Sequence, residues 1–135
     1  MNAVNIKIYS EQLFGEQRDI ISETYAGKIK KVGTSIYITH SNDGVQTLYK
    51  YMPGRLLVRR SGQIEQVQEF IPGKNCASSY LNTGIKMEIN TLTQDLSIVE
   101  MPQGSVIYLE YILYINNTLQ GITKMTITVT ERIEH

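Results

Sequence analysis

The 135-residue sequence predicts an all-β protein that forms a single closed or nearly closed antiparallel up-and-down barrel of about 8–10 strands. Apolar and polar residues alternate with a period of two along most of the chain, which indicates strands because successive side chains point to opposite faces. Turn-forming residues divide these runs at the spacing typical of sandwiches and barrels. A long meander leaves two unpaired edges unless it closes on itself, so closure is the expected outcome.

Each strand is predicted from its own alternation. Val4, Ile6 and Ile8 share one face of the first strand, and Met125, Ile127 and Val129 repeat the pattern in the last. The predicted strands are residues 3–13, 18–31, 34–40, 45–52, 55–60, 63–71, 78–91, 92–99, 105–115 and 120–131.

Turn chemistry sets the boundaries between these strands. The Asp-Gly pair in "SNDG" at 41–44 supplies the positive φ angles of a tight hairpin. In the next turn, Pro53 fixes one φ angle, and Gly54 leaves the following φ angle free to become positive. Between Ile89 and Leu92 the apolar residues change from odd to even positions, which predicts a β-bulge or bend.

The stretch "IYLEYILYI" at 107–115 has one wholly apolar face. Its odd positions include Leu109, Tyr111 and Leu113, which should point into the barrel. Tyr108 and Tyr114 should then point outward, where their hydroxyls can meet water.

The balance of charges and the single cysteine limit the kinds of partner and the compartment that we expect. The 13 basic and 13 acidic residues balance, so we expect no nucleic acid and no membrane among the partners, because binding to either depends on neutralising negative charge. The single cysteine, Cys76, fits a reducing compartment, and no signal peptide or long apolar run is present. We expect a cytoplasmic, single-domain protein spanning 1–135, as a monomer or homodimer.

Few residues suggest catalysis or metal binding. His40, His135 and Cys76 are too few and too dispersed for a metal site, so we expect neither a metal nor a cofactor. His40 is interpreted as a solvated residue beside a hairpin turn. The sequence contains no nucleophile elbow, phosphate loop or dinucleotide fingerprint. These observations favour a non-enzymatic protein, with no catalytic residue assigned.

A polar group on the middle strands is the candidate binding site. Leu56, Val58 and Arg60 share one face of their strand, and Gln66, Gln68 and Phe70 share one face of the next. Whether the two faces coincide depends on the intervening hairpin. A two-residue "SG" loop pairs Arg60 with Gln63 and separates the faces, whereas a three-residue loop pairs Arg60 with Ile64 and merges them. The merged arrangement places a cation and two amides inside the barrel.

The segments "VRRSG", "VQEFIPG" and "YLNTGIKMEINT" resemble the YwiB-like family of uncharacterised bacterial proteins. The resemblance rests on an Arg two residues before a Gly, a Phe before a glycine turn, and a Tyr and Thr before another Gly, and it continues through "IYLEYILYINN" and "TITVTE". It implies a calycin-like, lipocalin-type barrel and no known activity.

Three functions remain open. The leading hypothesis is a non-catalytic barrel that binds a small, partly apolar ligand, such as one with a carboxylate or another anion. The ligand-binding candidates are Arg60, Gln66, Gln68, Phe70, Tyr80 and Tyr111. The second hypothesis is an enzyme that uses Arg60 and a tyrosine on a similar ligand. The third is a structural or interaction module whose barrel is filled by side chains.

Overall fold

The computed structural model describes residues 2–132, and they form a closed barrel of ten antiparallel strands. Each strand pairs with its neighbours in sequence, and β1 pairs with β10 to complete the closure. The predicted all-β, up-and-down barrel is therefore confirmed. No helix in this part of the chain is long and apolar enough to cross a membrane. The strands are β1 (Asn2–Phe14), β2 (Gln17–Val32), β3 (Ser35–Asn42), β4 (Val45–Met52), β5 (Arg55–Gly62), β6 (Ile64–Phe70), β7 (Asn75–Asn82), β8 (Ile85–Met101), β9 (Gly104–Ile115) and β10 (Thr118–Glu131).

The strand boundaries differ from the prediction around β7 and β8. A strand over 78–91 is wrong, because the chain reverses at Thr83 and Gly84, whose φ angles are 50° and 80°. This two-residue turn needs positive φ at both positions, which Gly84 adopts without steric cost. The predicted break after residue 91 is also wrong, since β8 continues to Met101. The expected bulge lies instead between Thr93 and Asp95, where the pairing of β8 with β9 shifts register.

The inward faces build a contiguous apolar core over most of the barrel. Alternation places these side chains inside, and their burial supplies the main stabilising free energy of the fold. We call this region the apolar half, and it consists of Val4, Ile6, Ile29, Ile36, Ile38, Leu56, Val58, Phe70, Ile107, Leu109, Ile127 and Val129.

The barrel wall is incomplete between β2 and β3. β2 pairs with β1 from Gln17 to Ile29, but it pairs with β3 only from Gly27 to Val32. At Gly27 the two strands come so close that a Cβ atom would lie 2.3 Å from the Thr39 carbonyl oxygen. Glycine is therefore needed at the last paired position. Residues 17–26 then pair with β1 alone, while β1 pairs with β10 on its other side, which leaves a gap beside the β3–β4 hairpin.

A second weak seam lies between β6 and β7. Only Ile64–Gln66 of β6 pairs with Tyr80–Asn82 of β7. Further along, the Thr91 hydroxyl on β8 lies 3.2 Å from the Glu69 carbonyl oxygen and 3.5 Å from that of Cys76. Thr91 is 1% exposed. One buried hydroxyl thus links two strands whose own ladder is interrupted.

Candidate functional site

An internal cavity of about 360 Å³ opens where β2 leaves β3. Its apolar wall consists of Ile8, Ile21, Val45, Ile64 and Met125. Its polar and charged lining includes Glu23, Tyr25, His40, Asn42, Asp43 and Arg60. A mixed lining of this kind is typical of small-molecule sites, where apolar surface supplies affinity and a few polar groups set orientation.

Two larger hollows lie on the outer face of the barrel. One, of about 610 Å³, is bordered by the exposed side chains of Lys28 and Arg59. The other, of about 640 Å³, is bordered by Glu65 and Val67, which are also exposed. Neither contains an inward-facing charged residue, so the internal cavity is the candidate site.

One row of side chains runs from the cavity across strands β3 to β7. His40, Thr47, Arg60, Gln66 and Tyr80 are successive cross-strand neighbours on β3 to β7. We call this set the polar row. Cross-strand neighbours on one face lie about 5 Å apart, so the row brings together residues that are far apart in sequence.

The pairing of Arg60 settles the register left open by the sequence. Arg60 pairs with Gln66, so the faces of β5 and β6 merge, as the three-residue loop required. Neither predicted loop is correct, because residues 61–65 separate the two partners. The reason is that β5 stays paired with β4 as far as Gly62, which pairs with Val45. The backbone N–H of Gln63 then donates to the Gly44 carbonyl oxygen at 3.2 Å.

The Arg60 guanidinium is held by amides. Its Nη1 atom donates to Gln66 Oε1 at 3.0 Å and to Gln68 Oε1 at 3.3 Å. Both glutamines are 8% exposed, and Arg60 itself is half-buried. Among the residues described, no carboxylate lies within ion-pair distance of Arg60, whereas Arg18 and Arg55 each have one. Neutral acceptors satisfy hydrogen bonds without forming an ion pair, and the carboxylates of Glu23 and Asp43 lie elsewhere in the cavity lining.

The other predicted site residues lie apart from the cavity. Phe70 and Tyr111 pack against each other in the core, with ring centroids 4.8 Å apart. Tyr80 is half-buried, and its hydroxyl accepts a hydrogen bond from Asn82 Nδ2 at 3.3 Å. Of the six candidates, only Arg60 lines the cavity itself, with Gln66 and Gln68 positioning it.

His40 is the residue that the sequence interpretation missed. It was expected to be solvated, but it is 9% exposed and faces the interior. Its ring stacks on Tyr25 with centroids 4.1 Å apart and an interplanar angle of 4°. Its Nε2 atom lies 3.2 Å from the Tyr49 hydroxyl, and its buried Nδ1 atom has no hydrogen-bond partner among the described residues. The available signal was parity, because His40 continues the inward series Ile36 and Ile38.

Burial and the Arg60 charge control ionisation in this region. Burial, followed by the positive charge of Arg60, lowers the pKa of His40 below its usual 6.5, so the imidazole is held neutral. Burial raises the pKa of Tyr49 to about 12. Burial also raises the pKa of Tyr25 to about 12, assisted by the hydrogen bond from its hydroxyl to the Glu23 carboxylate. Both phenols are therefore protonated at neutral pH.

The site offers hydrogen bonds, the positive charge of Arg60 and two carboxylates at its rim, Glu23 and Asp43. Residues 2–132 contain no group of three or more His, Cys, Asp or Glu side chains placed to hold a metal ion. His135 lies outside the described residues, and Cys76 is a half-buried free thiol on β7. The cavity therefore combines apolar surface with hydrogen-bonding groups, one guanidinium and two rim carboxylates.

Comparison with known proteins places the chain among uncharacterised relatives. It is 28% identical over 104 residues to the uncharacterised β-barrel protein YwiB of Bacillus subtilis (strain 168), which covers 77% of this chain and 73% of the relative. The crystal structure of the Bacillus subtilis ywiB protein superposes with a TM-score of 0.86 at 20% identity, covering 98% of this chain and 93% of that one. Residues 6–127 match the model of the domain of unknown function DUF1934. With that match spanning most of its length, the chain belongs to the DUF1934 family.

Proposed function

We propose that this protein is a non-catalytic binding protein for a small, partly apolar molecule bearing a carboxylate or another anion. The observation that carries the proposal is the guanidinium of Arg60 on the wall of the 360 Å³ cavity, which has amide partners and, among the described residues, no carboxylate within ion-pair distance. A half-buried cation with only amide partners is costly to desolvate. An anionic ligand lowers that cost by supplying the missing negative charge.

The apolar part of the ligand has a defined place in this proposal. Ile8, Ile64 and Met125 border the same cavity as Arg60. An alkyl or aryl group held against these side chains contributes about 25 cal/mol for each Å² of apolar surface removed from water. Affinity then comes from the apolar group, and orientation comes from the anion.

The enzymatic alternative lacks a suitable tyrosine acid. A phenol is most efficient in proton transfer when its pKa lies near the operating pH. Burial raises the pKa of Tyr111, and the nearer cavity tyrosines, Tyr25 and Tyr49, are each raised to about 12. The raised pKa values of these three tyrosines favour binding over catalysis.

Replacing Arg60 by Met tests the proposal. Methionine keeps a similar length and removes the charge. It ends the cost of desolvating the cation but leaves Gln66 Oε1 and Gln68 Oε1 without their donor, so Arg60→Met should remain folded with little net change in stability. The variant should also lose the stabilisation that carboxylates and phosphates give the wild type. The measurement is the thermal unfolding midpoint of both proteins with and without each anion.

Arg59→Met is the matched control, because Arg59 is the adjacent residue and is exposed on the outer face. It should retain every anion-induced shift. If no anion shifts the wild-type midpoint, or if Arg59→Met and Arg60→Met lose the shift equally, the binding proposal is wrong. The same samples can be tested with single- and double-stranded oligonucleotides, for which we expect no salt-sensitive binding because the net charge is zero.

A further inference from the structure

We propose that His40 is a second contact for the anion bound at Arg60, and that the cavity takes up a proton on His40 when the anion binds. This inference rests on the proposed anion-binding function and adds a residue, a ligand property and a pH dependence to it. It concerns ligands whose anionic group accepts hydrogen bonds from two directions, such as a carboxylate or a sulfonate.

Geometry brings the two residues to the same ligand. His40 and Arg60 both line the cavity and lie on the polar row with only Thr47 between them. Two strand spacings separate their backbones by about 10 Å, a distance that an arginine and a histidine side chain can jointly span around one small anion. Thr47 is 4% exposed and lines the same cavity between them.

The hydrogen bonding of His40 is incomplete. Nε2 contacts the Tyr49 hydroxyl at 3.2 Å, while Nδ1 is buried without a partner. A protonated imidazole has two N–H donors, and Tyr49 can accept from only the first. An anion beside Nδ1 would accept from the second. Protonation of His40 and occupation by an anion therefore each make the other more favourable.

Electrostatics also predicts that a bound anion favours protonation of His40. In the empty cavity, burial and the Arg60 charge both hold His40 neutral, and Glu23 is the group that opposes them. A bound anion offsets the Arg60 charge and adds a negative charge near the imidazole, so it raises the pKa of His40. Because linkage is reciprocal, affinity for the anion must then rise as pH falls.

The other titratable or charged groups around His40 come from β2, the β3–β4 turn, β4 and β5. Tyr25 of β2 stacks on the ring, and Tyr49 of β4 hydrogen-bonds to it; each has a pKa of about 12. Glu23 of β2 and Asp43 of the β3–β4 turn border the cavity and are exposed at its rim. Arg60 of β5 keeps its charge at every pH of interest. The strands β1, β6 and β10 present Ile8, Ser10, Ile64 and Met125, which carry no charge.

The experiment uses hexanesulfonate, which stays fully ionised, so that any pH dependence comes from the protein. Isothermal titration calorimetry in buffers of different ionisation enthalpy counts the protons taken up on binding. Between about pH 8 and about pH 6, wild-type affinity should rise by up to about tenfold per pH unit, the limit for one linked proton. Hexanol, which lacks the anion, should show no such dependence.

Two variants assign the proton. His40→Gln should bind hexanesulfonate more weakly, with no proton uptake and no pH dependence. Glu23→Gln is the control for the rim carboxylate and should keep proton uptake. If His40→Gln does not fold, the His40 ring resonances of the wild type decide the matter by NMR, since His135 is the only other histidine in the sequence. Their titration should move to higher pH when hexanesulfonate is added.

The outcomes separate this inference from the function on which it rests. Binding that requires Arg60 but is independent of pH, with an unmoved His40 titration, overturns the role of His40 and leaves anion binding intact. Equal pH dependence in the wild type and His40→Gln also overturns it. If the wild type does not bind hexanesulfonate, the inference about His40 is overturned, and the effect of carboxylates and phosphates on the wild-type unfolding midpoint decides the binding function separately.

Discussion

In the apolar half, Ile38 on β3 and Leu56 on β5 are completely buried and belong to one continuous hydrophobic core. A short distance along the same two strands, His40 and Arg60 also face inward, yet they contact amides, phenols and the cavity. Both regions use the same alternation and the same backbone ladder. They differ in what satisfies the side chains once water has been removed.

That difference explains why the site lies where it does. Apolar contacts are non-directional, so the apolar half can be filled by any set of side chains of suitable volume. Polar groups inside a protein need specific partners, and each missing partner costs free energy. The polar row leaves the charge of Arg60 and the Nδ1 atom of His40 incompletely satisfied, at the place where the wall opens between β2 and β3. A ligand can supply both.

The largest expected effect tests the packing of the hydrophobic core, to which Tyr111 belongs. Tyr111→Ala should destabilise the protein by about 3–5 kcal/mol, the range for deleting a large buried aromatic side chain. Tyr111 is 8% exposed and packs against Phe70. Urea unfolding measures the loss, and Tyr108→Ala on the same strand is the control, because Tyr108 is 44% exposed. Equal losses in the two variants would mean that the outer face of β9 is buried in an oligomer.

A smaller effect is expected at the seam between β6 and β7. Thr91→Val keeps the shape of the side chain and removes the hydroxyl that reaches the Glu69 and Cys76 carbonyls. The loss should be about 1–3 kcal/mol, the cost of leaving a buried polar group without its partner. Hydrogen–deuterium exchange should quicken in residues 67–79 more than in β1 or β10. Uniform acceleration across the barrel would show that Thr91 does not act locally.

The smallest effect concerns the ligand-free protein at mildly acidic pH. The pKa of His40 is lowered in the folded state, whereas the unfolded chain has the usual value of about 6.5. As pH falls below that value, the unfolded chain takes up a proton that the folded protein does not, so stability decreases. The slope contributed by His40 is at most about 1.4 kcal/mol per pH unit.

Urea unfolding at several pH values checks this by comparing the wild type with His40→Gln. The wild type should lose more stability than the variant between about pH 6.5 and pH 5.5. Parallel curves for the two proteins would indicate that His40 is accessible to solvent and titrates normally in the folded state.

Part of the site could be predicted from sequence because strand parity is a local property. The inward positions of Arg60, Gln66 and Gln68 follow once the Leu56 face and the Phe70 face are known to coincide. Parity alone could not decide that coincidence. Whether the two faces coincide depends on how far β5 stays paired with β4. The hydrogen bond from the Gln63 backbone N–H to the Gly44 carbonyl controls that length, and Gly44 lies outside the β5–β6 hairpin.

The misplacement of β7 and β8 has a similar origin. The Thr83-Gly84 turn carries a weaker signal than Asp43-Gly44, because threonine rarely adopts positive φ. The phase change after Ile89 predicts a β-bulge or bend, and the predicted strands also divide there, after residue 91. In the folded barrel a bulge at Thr93 and Asp95 accommodates it within one long strand.

The sequence by itself determined the all-β character, most strand boundaries and the inward residues of the core, because alternation and turn chemistry act over a few residues. Only the tertiary structure decided which polar side chains share a cavity. The stacking of Tyr25 on His40 and the gap beside it arise because β2 leaves β3 at Gly27 to stay with β1. That choice depends on contacts between strands far apart in sequence, which no local pattern encodes.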